Sequence, residues 1–489
     1  MEKARSKSSP HPSDSPNNEN HSVKVSMKEI ILVHCVDTEG PLYESLTATF
    51  ERVKATFGLE FKPSREQLAR LKRGEDIPDQ LKDVVMDFVS DERLSYNSTW
   101  TEVDAMLDEL MSEEWRKTHV DDFGNGYTFS WFVMDHVGFE TNPRQRALGF
   151  HSIYEHYLEM FNRHSPRQDA LYWHFHPVPF SRAANRAACN YSFTNLHIES
   201  ISRRLIDHLD FPAAFRPGLH CERPDINLFL EMWIPVDYGN QAIRERAEDA
   251  LQKDVCDGRF GDWRRAPAQW GTYHPDWYDY QTPGTMKRYI ARCLNLDARV
   301  RPITREEIRE AFEQTGGNCP TILSVTNHDQ KEMRPQIASY MDMIREIQRD
   351  YPDVKIRHAN AVDAIRRVET LHAEPPVHFD ISWSGNRLDI KTDKPVWGPQ
   401  PWLCFKTLDG RYLHENLDRQ GRTHWSFIFD IDSIPLNTLE AIGLATNDDY
   451  FNTTACRISV ENGVPGEASI RFRNTRSEDS QSQPEKQDR

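Results

Sequence analysis

The sequence predicts an α/β domain followed by a small antiparallel β-sandwich. Three observations carry this. Apolar runs of strand length alternate with helix-forming stretches from Lys28 to about residue 370; several of these runs end in ionisable residues; and from about Pro375 the texture changes to period-2 alternation with tight turns. Strand–helix alternation implies crossover units and a parallel sheet or barrel, whereas period-2 patterning implies antiparallel strands with one wet face. The expected division is a disordered tail over 1–26, an α/β barrel over 27–372, an accessory β-sandwich over 373–473 and a second disordered tail over 474–489.

Composition limits the function. The 489 residues carry 60 basic against 76 acidic side chains, a net charge of -16. Such a chain repels nucleic acid and anionic membranes unless a basic patch intervenes, and no Lys/Arg cluster is large enough to be one. No apolar run approaches the roughly 20 residues of a membrane span. The eight cysteines are scattered without a C-x-x-C pair, a pattern that fits reduced thiols in the cytoplasm. The Ser-, Pro- and Asn-rich start lacks the apolar core of a signal peptide.

The first strand is expected at Lys28–Asp37, a continuous apolar run of the kind buried on both faces of a parallel sheet. It ends in Asp37-Thr38-Glu39-Gly40-Pro41, where two carboxylates share one face; Gly-Pro after Asp equally reads as a turn opening. Glu44 to Trp115 is mostly helix-forming, with Val103, Met106, Leu107, Leu110 and Met111 on one face. A second strand is expected at Tyr127–Asp135, a helix around Gly149–Arg163, and a third strand at Ala170–Val178, where His174-Phe175-His176-Pro177 closes the run. Side chains two apart on a strand point the same way, so both imidazoles suit one metal ion; alone, the pair reads equally as two histidines at a strand end.

After a helix at about Asn195–Leu209, short elements at Ala214–His220 and Leu228–Tyr238 place Arg216 and Asp237 near their ends. Residues 241–300 are rich in Arg, Asp, Trp and Tyr; Trp263, Trp270 and Trp277 read as packing rather than sugar platforms. A further strand at Pro320–Asp329 ends in Thr326-Asn327-His328-Asp329, and a helix at Gln336–Arg349, a strand at Val354–His358 and a helix at Ala361–Val368 complete the region. Beyond it, alternation on both sides of Gly385-Asn386 predicts a hairpin, with strands near Trp402–Lys406, His424–Phe429, Ala441–Thr446 and Ala455–Val460.

Parallel strands present their carboxyl ends to one mouth. Asp37, Glu39, His174, His176 and His328 therefore assemble there, and one carboxylate with two histidines is the donor set of a catalytic zinc site. A second carboxylate and a further histidine complete an acid–base pair for metal-assisted hydrolysis.

Asp-x-Glu-Gly-Pro after a first buried strand, His-x-His-Pro, Phe-Arg-Pro-Gly and Thr-Asn-His-Asp, in that order, resemble the motifs of the polysaccharide deacetylases over about residues 28–370. The resemblance implies a distorted (β/α) barrel and a divalent metal ion, zinc above others, acting on an N-acetylated sugar or glycan. It also implies Asp37 as base, Glu39, His174 and His176 as metal ligands, Arg216 orienting the base and His328 protonating the leaving amine. Asp237, Tyr238 and Trp173 are the expected substrate contacts. Two departures stand out. Most members have adjacent aspartates where Thr38 separates Asp37 from Glu39, and many space their histidines four apart, whereas Val178 and Phe180 leave His174 with His176, or with His197. A catalytically silent glycan or protein binder and a glycosidase on the same scaffold are the alternative functions.

Overall fold

The computed structural model describes residues 28–243, 247–257, 260–315, 320–372 and 374–473. The two expected tails lie outside these residues.

One sheet dominates the α/β region. Its strands are β1 (Lys28–Thr38), β2 (Phe129–Met134), β3 (Ala170–Phe175), β4 (Ala214–Pro217), β5 (Val236–Asn240), β6 (Thr272–Tyr273), β7 (Tyr289–Arg292), β8 (Leu294–Asn295), β9 (Thr321–His328) and β10 (Val354–His358). The order is β6-β7-β5-β4-β3-β2-β1-β9-β8, with β10 also beside β1. All pairings are parallel except β6 with β7. The sheet curls strongly: β7 pairs with β5, while β8, immediately beyond it in the chain, pairs with β9 near the other edge. Residues 289–295 thus bring the two sides of the sheet together in a barrel-like wrap.

Register is what positions the site. Asp37 lies level with His328 on β9, and His174 level with Arg216 on β4. From Glu29 to Thr38 every residue of β1 is buried, which explains its unbroken apolar run. Helices cover the sheet, as the alternation predicts. Trp100–Leu110 starts from a Thr99–Glu102 capping box and buries Val103, Met106, Leu107 and Leu110. Leu46–Phe57 starts at Ser45, whose hydroxyl accepts from the Ala48 amide, and stops at Gly58 with φ 73°.

One expected element is corrected. Leu228–Tyr238 is not a single element: Pro224–Trp233 is a helix opened by its proline, and β5 begins only at Val236.

The C-terminal region packs two antiparallel sheets face to face. Its strands are β11 (Phe379–Ser384), β12 (Arg387–Thr392), β13 (Trp402–Thr407), β14 (Tyr412–Glu415), β15 (Asp418–Arg419), β16 (His424–Ile428), β17 (Leu439–Asn447), β18 (Thr453–Glu461) and β19 (Val464–Arg473). The sheets are β11-β12-β16-β15 and β14-β13-β17-β18-β19. Leu388, Ile390 and Phe427 from one meet Phe405, Ile442 and Ile458 from the other. This sandwich is docked on the α/β region: Trp402, Cys404, Ala441 and Ala455 share a core cluster with Ile201, Leu205, Phe215 and Trp233. Among the described residues, no helix is long and apolar enough to cross a membrane.

Candidate metal centre

The site is built at the carboxyl ends of β1, β3, β4 and β9. Thr38 points to β2, donating its hydroxyl to the Phe132 carbonyl, so Asp37 and Glu39 face the other way. The chain then turns at Gly40 with φ 72°, and the turn is held by the Asp329 carboxylate. Oδ1 of Asp329 accepts from the Glu39 amide at 2.9 Å, and Oδ2 accepts from the Gly40 amide at 3.0 Å and the Tyr157 hydroxyl at 2.9 Å. Burial pushes the Asp329 carboxyl up to about 7 against these donors. The last residue of the Thr-Asn-His-Asp motif therefore shapes the loop that carries Glu39.

Glu39, His174 and His176 offer one ligand atom each, all within 4.8 Å of one another. Nε2 of His176 lies 3.2 Å from Nε2 of His174 and 3.3 Å from Oε1 of Glu39, and the third edge, His174 to Glu39, is 3.9 Å. Four donors about 2.05 Å from a tetrahedral zinc ion stand roughly 3.3 Å apart, so two edges match and one is longer. The tautomer fits as well. Nδ1–H of His174 donates to the Arg216 carbonyl at 3.0 Å, which leaves Nε2 with its lone pair toward the group. Two ring nitrogens facing each other beside a carboxylate are satisfied together by a shared cation.

Gly218 makes this packing possible. A Cβ there would stand 2.0 Å from Cδ2 of His176, so the Phe-Arg-Pro-Gly motif has two physical functions. It brings Arg216 to Asp37, and it leaves the His176 ring its space. Arg216 is fully buried and two-pronged: Nε donates to Asp37 Oδ1 at 2.7 Å, Nη2 to Oδ2 at 3.1 Å, and Nη1 to the Tyr238 carbonyl. Burial alone would raise the Asp37 carboxyl, but the Arg216 guanidinium, followed by His174 and His328, holds it well below the usual carboxylate range. Glu39 is likewise pushed up by burial and brought down further by His174 and His176. Nε2 of His328 lies 3.9 Å from Asp37 Oδ2 and 3.8 Å from Glu39 Oε1, and 29% of its side chain is exposed. Burial lowers its pKa below the ordinary histidine value.

A cavity of about 250 Å³ opens on this group, lined by Glu39, His176 and His328 together with His136, Arg144 and Gln145. His136 donates Nε2–H to the Glu39 carbonyl at 3.1 Å, and Gln145 donates to Glu39 Oε2 at 3.1 Å. Sequence reasoning missed Asp329, His136, Arg144 and Gln145 as parts of the site.

The three expected substrate contacts are placed elsewhere. Trp173 is on the opposite face of β3 from His174, packed against Phe175 and Phe215. Tyr238 is buried and donates its hydroxyl to the Ala361 carbonyl at 2.7 Å. Asp237 belongs to a separate buried cluster, 2.9 Å from Arg288, which also pairs with Glu222. None of the three lines the cavity. His197 is likewise distant in role, packed against Phe175 and Phe229. Trp263 and Trp270 are buried, and Trp263 donates to the His220 carbonyl at 2.8 Å, whereas Trp277 is exposed. No protein-family model matches the chain, and no curated protein matches it.

Proposed function

We propose that the chain is a metal-dependent hydrolase that deacetylates an N-acetylated sugar or glycan precursor, on a divergent barrel of the polysaccharide deacetylase type. The observation that carries this reading is the Glu39–His174–His176 group standing beside an ionised Asp37 at one mouth of parallel strands. Those three residues would hold the cation, and their two-nitrogen, one-oxygen set suits zinc. Bound there, it would supply Lewis acidity and lower the pKa of water.

Asp37 stays ionised at every physiological pH and accepts a proton from the attacking water. Arg216 holds both carboxylate oxygens and so fixes the direction of acceptance. His328, on the open side of Asp37 and Glu39, donates a proton to the departing nitrogen. Gln145 and His136 steady Glu39 through its carboxylate and its carbonyl. The free, scattered cysteines among the described residues support a cytoplasmic setting.

A second reading draws on Asp37 itself. A carboxylate gripped at both oxygens and held far below its usual range is a weak base, as in a silent glycan or protein binder. Metal analysis with an acetate assay separates the two. The proposed enzyme binds about one zinc per chain and releases acetate from N-acetylated sugars, and Asp37→Asn keeps the zinc and loses the acetate. Zinc without acetate release supports the silent binder, reducing ends without acetate support a glycosidase, and no bound metal sinks the hydrolase reading.

A further inference from the structure

The cavity wall above the metal group is equipped beyond what amide hydrolysis needs. Glu44 is clamped between two arginines. Nη1 of Arg52 lies 2.7 Å from both Glu44 oxygens, and Nε of Arg144 lies 2.8 Å from Oε2. Two guanidiniums thus share one carboxylate, leaving one positive charge in excess. Glu51, also in the wall, is exposed and forms no ion pair with either arginine. Nε of Arg144 is buried and, despite its ion pair with Glu44, has no hydrogen bond of good geometry, and its guanidinium carbon lies 5.1 Å from the Tyr96 ring centroid. Arg144 lines the cavity, and a contact with a ring face consumes none of its donors.

Beside it the wall carries buried polar atoms with no partner: Nδ1 of His136, Oε1 of Gln145 and Nδ2 of Asn142. His136 and Gln145 are 4% and 6% exposed, and all three residues line the cavity. Because Nε2–H of His136 is spent on the Glu39 carbonyl, Nδ1 of the neutral ring is a bare acceptor. Buried polar groups without partners are costly, and their chemistry specifies what would satisfy them. Two acceptors suit hydroxyl or amide hydrogens; an unspent guanidinium and an amide N–H suit an anion.

We infer that the cavity selects N-acylated sugars bearing an anionic substituent, with Arg144 binding the carboxylate or phosphate and His136 and Gln145 accepting sugar hydrogens. This rests on the hydrolase reading and narrows its substrate class. Calorimetric titration of the full-length, zinc-loaded protein tests it, using N-acetylglucosamine, N-acetylglucosamine 6-phosphate and N-acetylmuramic acid as probes, with Asp37→Asn as the turnover-free control. At least one charged sugar should bind roughly tenfold or more tighter than the neutral one, as a charge-assisted bidentate contact provides. Which one it is tells phosphate from carboxylate. Arg144→Gln should bring the charged-to-neutral ratio to within about twofold, and Arg144→Lys should restore part of it. Equal binding of all three probes by the wild type, or an unchanged ratio in Arg144→Gln, overturns the subsite. Acetate release with no anion preference sinks the subsite alone, whereas an Arg144-dependent preference without acetate release sinks the deacetylase alone.

Discussion

The two regions of this chain solve the burial of polar groups in opposite ways. In the sandwich, strands such as β12 alternate between buried and exposed residues, and Leu388 and Ile390 enter an apolar core while Lys391 stays outside. In the curled sheet, β1 is buried on both faces and still holds Glu29, His34 and Asp37 inside. Polar and charged groups at that depth are tolerated only with partners, and each has them: Arg367 and Arg357 on Glu29, Tyr127 and Asn327 on His34, Arg216 on Asp37. The candidate site lies where the interior is polar and paired, and the sandwich packs behind it. The largest effects should follow that division. Asp37→Asn or His328→Ala should cut acetate release by roughly 10²–10⁴-fold, with the melting temperature unchanged in His328→Ala and lowered in Asp37→Asn, which leaves the buried Arg216 charge without its counter-ion. A comparable loss from substitutions confined to the sandwich surface would break the comparison.

The seam between the regions comes next. Trp402 of β13 is fully buried against Trp233, Phe229 and Phe211 from the α/β side, with ring centroids 5.0 to 6.0 Å apart. The helix Leu196–His208 in that seam contributes Ile201 and Leu205 to the cluster that includes Trp173, on the far face of the strand holding His174. Trp402→Ala should cost about 3–5 kcal/mol. Calorimetry should show one unfolding transition in the wild type and two in the variant; two in both would mean that the seam does not couple the regions.

Acid should act mainly on the α/β region. Burial lowers His34, His136, His197 and His358 to about 4 and His220 well below its ordinary value, whereas His414, at the seam, is the one such histidine among the described residues of the sandwich. Because the folded value lies below the unfolded 6.5, the unfolded chain binds more protons between those limits. Stability is therefore full above about pH 6.5 and falls as pH drops toward 4, by about 3 kcal/mol for His34. Urea unfolding at stepped pH measures this, and His34→Gln should flatten the slope by about one proton. An unaltered slope would remove His34 from the account.

Much of the architecture was legible because buried parallel strands write themselves as apolar runs, and because ionisable residues at their ends are conspicuous. Asp37, Glu39, His174, His176, Arg216 and His328 converge as their strand positions imply. Trp173 was misassigned although alternation along β3 already sends it opposite to His174. Leu228–Tyr238 was misread because a buried helix and a buried strand look alike over a few apolar residues, and Pro224, at a first helical position, was the available signal. Arg144, His136 and Gln145 had no signature at all. They lie on irregular chain between β2 and the next helix, and only the docking of Leu42 and Tyr43 against Gln145 and Arg144 brings them to Glu39.

The smallest perturbation tests the closest packing. At Gly218 the backbone is not left-handed, so alanine is conformationally acceptable, and its one added methyl group would meet the His176 ring at 2.0 Å. The same Cβ would stand 2.7 Å from the His176 Cα, so both the ring and the backbone of His176, just past the end of β3, must give way. Gly218→Ala should therefore destabilise the fold by about 1–3 kcal/mol or more while displacing His176 from Glu39 and His174. Zinc affinity, read by competition with a chromophoric chelator, should drop far more than the melting temperature does. An alanine at Gly443, where Cβ would stand 2.7 Å from Cys404 Sγ beneath the seam, should lower the melting temperature and leave zinc affinity intact. If both variants lose zinc equally, the metal group is not the locally packed device that His176 and Gly218 describe, and its integrity depends on the fold as a whole.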